Sequence, residues 1–243
     1  MKLLLSLAAA LTALTATAGN TSGITDGYLD RGLFYYRSGW TGPAVDQLSH
    51  YESIADPTEE SELALALAAA RDADPRAIDL LERFMARYPQ STSRHMVAVV
   101  TGNCYMDRGE WAEACRWYSS VGDDSLDPDT DAARRLQTGI AMMMLGRRDE
   151  AERILARLDG TSQESNALFY RGYIAYVDRD YPRAMTLLER VTSTAMPAAM
   201  AQYYLCQMYY LDGDNNRALT RARRLTENTD VPQEYRAEAS RIA

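Results

Sequence analysis

Asp127, Asp129 and Asp131 stand at alternate positions, the spacing of the first three oxygen ligands of a calcium loop. That loop also needs a glycine at its sixth position and a bidentate glutamate at its twelfth, where this chain has Ala132 and Thr138. The acidic stretch from Asp123 to Asp131 therefore reads as an inter-element loop whose Asp127-Pro128 pair caps and starts a helix. Cys104, Cys115 and Cys206 form no Cys-x-x-Cys pair. Either Cys104 and Cys115 bridge the two helices of one hairpin, or all three act as small buried apolar residues. His50 and His95 are the only histidines and fall in different structural units, so no shared metal and no serine–histidine pair is expected. The chain has no Gly-x-Ser-x-Gly elbow, no phosphate-binding glycine loop and no His-Glu-x-x-His. No catalytic residue, no cofactor and no metal is expected.

The elements that position these residues announce themselves through a repeat. Ala44, Ala77, Ala114, Ala151, Ala184 and Ala218 follow one another at separations of 33, 37, 37, 33 and 34 residues. Each sits a few residues into a helix that follows a tight turn, and a period of ~34 residues is that of stacked helical hairpins. The third unit reads Gly102, Tyr105, Gly109, Trp111, Ala114 and Tyr118, and the first reads Gly32, Tyr35, Gly39 and Ala44. The fourth gives Gly139, Met142, Gly146, Ala151 and Leu155; the fifth gives Gly172, Ala175, Tyr181, Ala184 and Leu188. The sixth has Cys206, Tyr209, Gly213 and Ala218, and the second departs furthest with Leu65, Ala68, Asp72 and Ala77. A small residue at a helix crossing lets two helices approach closely while large side chains fill the space beside it.

The pattern predicts helices over 27–38, 42–54, 59–71, 75–87, 93–107, 111–121, 129–145, 148–158, 163–178, 181–193, 196–211 and 215–227, with no strand. Asp74-Pro75 is expected to start the fourth helix. Gly39, Gly109, Gly146 and Gly213 are expected to end first helices in the left-handed conformation. The segment 233–243 is amphipathic, and either caps the array or begins a seventh unit of a longer one.

On these residues the chain resembles the tetratricopeptide-repeat family over nearly its whole length after residue 18. The ending Phe84-Met85-Ala86-Arg87-Tyr88-Pro89-Gln90-Ser91 resembles tetratricopeptide proteins of the bacterial envelope. The resemblance implies an all-α, right-handed α-solenoid of about six hairpins plus a terminal helix. Its repeats lie near 25–57, 58–91, 92–127, 128–161, 162–195 and 196–231, with the terminal helix over 232–243. It also implies a concave groove lined by first helices that receives a partner peptide or helix. Carried onto this chain, the groove holds Asn103, Met106, Leu136, Ile140 and Met143, then Phe169, Tyr173 and Tyr176, then Tyr203, Gln207 and Tyr210. Tyrosine and methionine suit an apolar or mixed peptide. The lysine clamp by which chaperone-binding members grip a terminal carboxylate has no counterpart, because Lys2 is the only lysine.

Met1-Lys2, the apolar run from Leu3 to Leu14 and the Ala16-Thr17-Ala18 pattern read as a cleaved signal peptide over 1–18, followed by one solenoid over 19–243. Gly19 follows the cleavage point, so no lipidated cysteine stands there. Export places the protein in the periplasm or against the outer membrane, and no other run is long enough to be a transmembrane segment. The net charge of -8 argues against nucleic acid as a partner. The function expected is a non-catalytic interaction scaffold in the bacterial envelope with a protein or peptide partner and possible self-association. The alternative is a glycan- or nutrient-capture component of an outer-membrane uptake system, since aromatic faces also stack on sugars.

Overall fold

The computed structural model describes residues 25–122, 125–192, 196–228 and 231–242. The expected signal segment lies outside the described residues, as do Asp123 and Asp124 of the acidic loop. Among the described residues there are thirteen α-helices and no strand. Six antiparallel hairpins follow one another: α1 (Thr25–Arg37) with α2 (Thr41–Ile54), α3 (Glu59–Arg71) with α4 (Ala77–Arg87), and α5 (Arg94–Asp107) with α6 (Trp111–Ser119). Next come α7 (Pro128–Met144) with α8 (Arg148–Leu155), α9 (Glu164–Val177) with α10 (Tyr181–Glu189), and α11 (Met196–Leu211) with α12 (Asn215–Glu227). The last helix, α13 (Gln233–Ser240), packs on α12 and α11. The array is the expected α-solenoid.

Each first helix also touches the first helix of the next hairpin, from α1 on α3 through to α9 on α11, whereas no second helix among the described residues touches the next second helix. Neighbouring first helices therefore stand closer together than second helices. That difference curves the stack and puts the first helices on its inner side.

The hairpins close on one repeated contact. Gly32, Gly102, Gly139 and Gly172 each precede by sixteen residues a fully buried Leu48, Tyr118, Leu155 or Leu188. A Cβ on Gly32, Gly139 or Gly172 would stand 2.6 Å from the facing leucine, and one on Gly102 would strike the Tyr118 ring. The helices are thus packed at a distance that admits only a hydrogen on that side of the first helix. The sixth hairpin exchanges the roles: Cys206 stands in the first helix and small, fully buried Ala222 in the second. All six signature alanines are buried, none more than 4% exposed.

Turn geometry repeats as faithfully. The N–H groups of Trp40, Asp74, Glu110, Arg147, Asp180 and Asp214 each donate 2.9 Å to the carbonyl five residues earlier, the wide bond of a Schellman cap. The residue before each donor has positive φ. Gly39, Gly109, Gly146 and Gly213 meet the requirement as expected, but Ala73 (φ 57°) and Arg179 (φ 63°) meet it against the preference of a side-chain-bearing residue. Asp180 and Asp214 then cap the next helix by accepting from the N–H of Arg183 and Arg217. Asp74 is different. It closes its own cap, and its carboxylate accepts from the Arg76 N–H at 2.8 Å, so α4 starts at Ala77 and not at Pro75. Likewise α10 ends at Glu189, short of the expected 193, because the N–H groups of Arg190 and Val191 close tight bonds three residues back.

Polar ties between hairpins keep one offset. Thr41 with Asp72, Arg83 with Glu52, Arg183 with Glu152 and Tyr176 with Gln207 are all 31 residues apart. One ionic pair is buried on one side: Glu62, 2% exposed, meets Arg87. Glu62 takes the place on α3 where other first helices carry Leu29, Val99, Leu136, Phe169 or Tyr203, and its Oε2 has no hydrogen-bond partner among the described residues.

Two substitutions probe this architecture in opposite directions. Arg179→Gly relieves a left-handed side chain and should raise stability by about 0.5–1 kcal/mol, seen as a higher melting midpoint. Ala151→Arg overpacks a fully buried crossing and should cost roughly 3 kcal/mol; an unchanged midpoint would show that Ala151 is not at the crossing.

Candidate functional site

The inner face is not uniform along the array. Ala66 and Ala69 of α3 are completely buried, with Tyr36 packed on the clusters that contain them, so the second hairpin offers the groove no large side chain there. Asn103 accepts a hydrogen bond from the Tyr118 hydroxyl at 2.7 Å and so ties its own hairpin together. Met106 packs on the α5–α6 core. Leu136 is 3% exposed and belongs to the core of the fourth hairpin, against which Ile140 rests. From Met143 onward the face becomes open and aromatic.

Met143, Met144, Arg148, Tyr173, Ile174 and Val177 line a shallow, half-open depression of about 170 Å³ between α7 and α9. Beside it, on α9 and α11, lies a tyrosine cluster. The Tyr204 ring is 5.5 Å from that of Tyr173, 4.8 Å from Tyr176 and 5.4 Å from Tyr203, and Tyr203 meets Tyr235 of α13 edge-on at 5.3 Å. Such tilted and edge-on pairings are the favoured arrangements of aromatic quadrupoles. Gln207 links the cluster: its Oε1 accepts from the Tyr176 hydroxyl at 2.9 Å and its Nε2 donates to the Tyr203 hydroxyl at 2.6 Å. Burial pushes the hydroxyls of Tyr176, Tyr203 and Tyr204 above the usual phenol range, with neighbouring tyrosines adding to the shift. All three stay protonated at neutral pH.

Six of the seven expected groove residues, Met143, Tyr173, Tyr176, Tyr203, Gln207 and Tyr210, keep part of their surface open, and Tyr210 is 56% exposed. Phe169 is a correction. It is 3% exposed, packed in the core shared by α9, α10 and α11, and its ring stacks beneath Tyr173 at 6.5 Å, so it supports the face without lining it. Tyr204, Met144, Val177 and Leu211 were not expected. Tyr204 follows Tyr203 directly and turns toward α9; the other three lie at the ends of first helices, where Leu211 is 64% exposed. The doubled tyrosine at 203–204 was the signal for Tyr204, and for the other three the sequence holds no mark beyond an apolar residue just before a turn. Arg148 is the one charged residue of the depression and is held by Asp178 at 2.9 Å.

The residues first considered for chemistry are occupied structurally. Asp127 accepts from the Thr130 N–H at 3.0 Å as the cap of α7, and Asp131 pairs with Arg134 and Arg135. Cys104, Cys115 and Cys206 are free thiols. Burial pushes the Cys104 thiol up to about 11, with Asp107 adding and Arg108 opposing, and burial also raises Cys115 and Cys206.

Residues 45–220 match the family profile of the T7SS, ESX-1 secretion system protein EccA1, N-terminal domain. The chain belongs to this family. The match takes in every expected groove residue and five of the six hairpins in full. No curated protein sequence matches. Among solved structures, PilW, described as a widely conserved type IV pilus biogenesis factor, is similar with a TM-score of 0.66 at 15% identity over 90% of this chain and 99% of that one. Pseudomonas aeruginosa PilF gives 0.65 at 16% identity over 89% and 97%. The C-terminal part of a TPR repeat-containing protein from Cytophaga hutchinsonii gives 0.64 at 15% identity over 88% and 87%. These likenesses are of fold, and with the six hairpins they make this family member a tetratricopeptide-repeat protein.

The cysteines supply a direct check. A disulfide reagent should label the native protein slowly and find three thiols per chain after unfolding; one thiol would mean that Cys104 and Cys115 are bonded.

Proposed function

We propose that this protein is a non-catalytic scaffold of the bacterial envelope that captures a partner protein on the inner face of its C-terminal hairpins. The tyrosine cluster around Tyr204, open beside the depression at Met143 and Tyr173, carries the reading. Aromatic side chains and methionine on a firm backbone give large contact area at low entropic cost, the composition of protein-binding hot spots. The tetratricopeptide fold supports a role in protein interaction, and a family profile named for a secretion-system protein, with a pilus biogenesis factor as a fold neighbour, supports an envelope setting. The signal-peptide pattern over 1–18 agrees with export. Among the described residues, no helix is long and apolar enough to cross a membrane.

Tyr173→Ala with Tyr210→Ala should abolish capture of partners from an envelope extract while leaving helicity and melting nearly unchanged. Retention of the same partners by the double variant would remove the inner face from the binding surface.

A further inference from the structure

Gln207 is wired in an unusual way for a side chain on an open face. One tyrosine hydroxyl donates to its Oε1 and another accepts from its Nε2, so the amide plane is held from both ends by residues of two different helices, α9 and α11. An amide has two acceptor lone pairs and two N–H donors. After these two bonds, one lone pair and one N–H remain, fixed side by side. That pair is the complement of a main-chain peptide group, which offers one C=O and one N–H.

The surroundings specify the remainder of the ligand. Met143, Tyr173, Tyr176, Tyr203 and Tyr210 share this part of the face with Gln207, and none carries a charge at neutral pH. The nearby Arg148 is committed to Asp178. A charged ligand group seated here would lose hydration without gaining an opposite charge, a cost that excludes it. The apolar depression between Met143, Met144 and Val177 lies within reach of the same ligand and can take an apolar side chain.

We infer that the C-terminal half of the groove binds an uncharged, apolar segment internal to a partner polypeptide, in extended form, with Gln207 gripping one of its main-chain amides. Tyr176 and Tyr203 act as positioning residues that hold the Gln207 amide in plane. This deepens the reading proposed above and rests on it. It differs from recognition of a chain terminus, because no free cation faces the Tyr–Gln cluster.

The test is selection of a displayed random dodecapeptide library on the full chain, with the Tyr173→Ala/Tyr210→Ala variant as the subtractive control. The best enriched peptide is then synthesised with its C-terminus free or amidated. Expected are sequences poor in Asp, Glu, Lys and Arg, and equal affinity for the free and amidated forms. Affinity should also be insensitive to salt and about tenfold weaker for Gln207→Leu and for Gln207→Glu, which keeps the acceptors and loses the donor. Tyr176→Phe should weaken binding less, with an unchanged melting midpoint. Enrichment of charged peptides, loss of binding on amidation, or full affinity in both Gln207 variants overturns this inference while leaving an interaction groove standing. Failure of the wild-type chain to enrich any peptide over the control overturns both.

Discussion

The distance between the two helices of a hairpin sets everything else in this molecule. Where Gly139 faces Leu155 or Gly172 faces Leu188, a single added carbon would sit 2.6 Å from a leucine carbon, well inside van der Waals contact. Helices that close bury the leucine completely and leave the turn at their end almost no freedom. The six turns accordingly share one hydrogen-bond pattern, and a backbone conformation that glycine favours is imposed even on Ala73 and Arg179. Local preference yields to hairpin geometry, because the loss of about 1 kcal/mol at one residue is small beside the burial of a whole helix face.

Stacking adds a second constraint. First helices touch their counterparts in the next hairpin and second helices do not, so the inner face is where side chains from neighbouring units meet. In the N-terminal half those meetings are closed: alanines on α3 lie under Tyr36, and Glu62 is buried against Arg87. A buried pair of this kind contributes little net stability compared with an apolar pair of the same size. In the C-terminal half the equivalent places hold Tyr173, Tyr203 and Gln207, whose rings and amide lean on each other across α9 and α11 and remain open on one side. The same scaffold therefore has a sealed half and a receptive half, and the difference lies in side-chain size at a few positions of the first helices.

What could be read without coordinates was whatever repeats. The alanine ladder from Ala44 to Ala218, the glycines at four of the six turns and the Asp127-Pro128 start were legible because each follows from a local requirement, a close crossing, a left-handed residue or a helix cap. Helix bounds failed where two local requirements compete for one residue, as at Asp74, which closes one cap and cannot also begin the next helix.

The sequence by itself determined that this chain is a stack of helical hairpins and which side of each first helix faces inward, since both depend on spacing along one helix. Only the tertiary structure decided which inward residues are covered. It placed Phe169 beneath Tyr173, brought Tyr204 to the centre of the cluster, and set the Gln207 amide between two tyrosines, one 31 residues before it and one a single helical turn before it. The reason is that periodicity describes one helix at a time, whereas cover is supplied by the next hairpin, whose distance and rotation no single helix encodes.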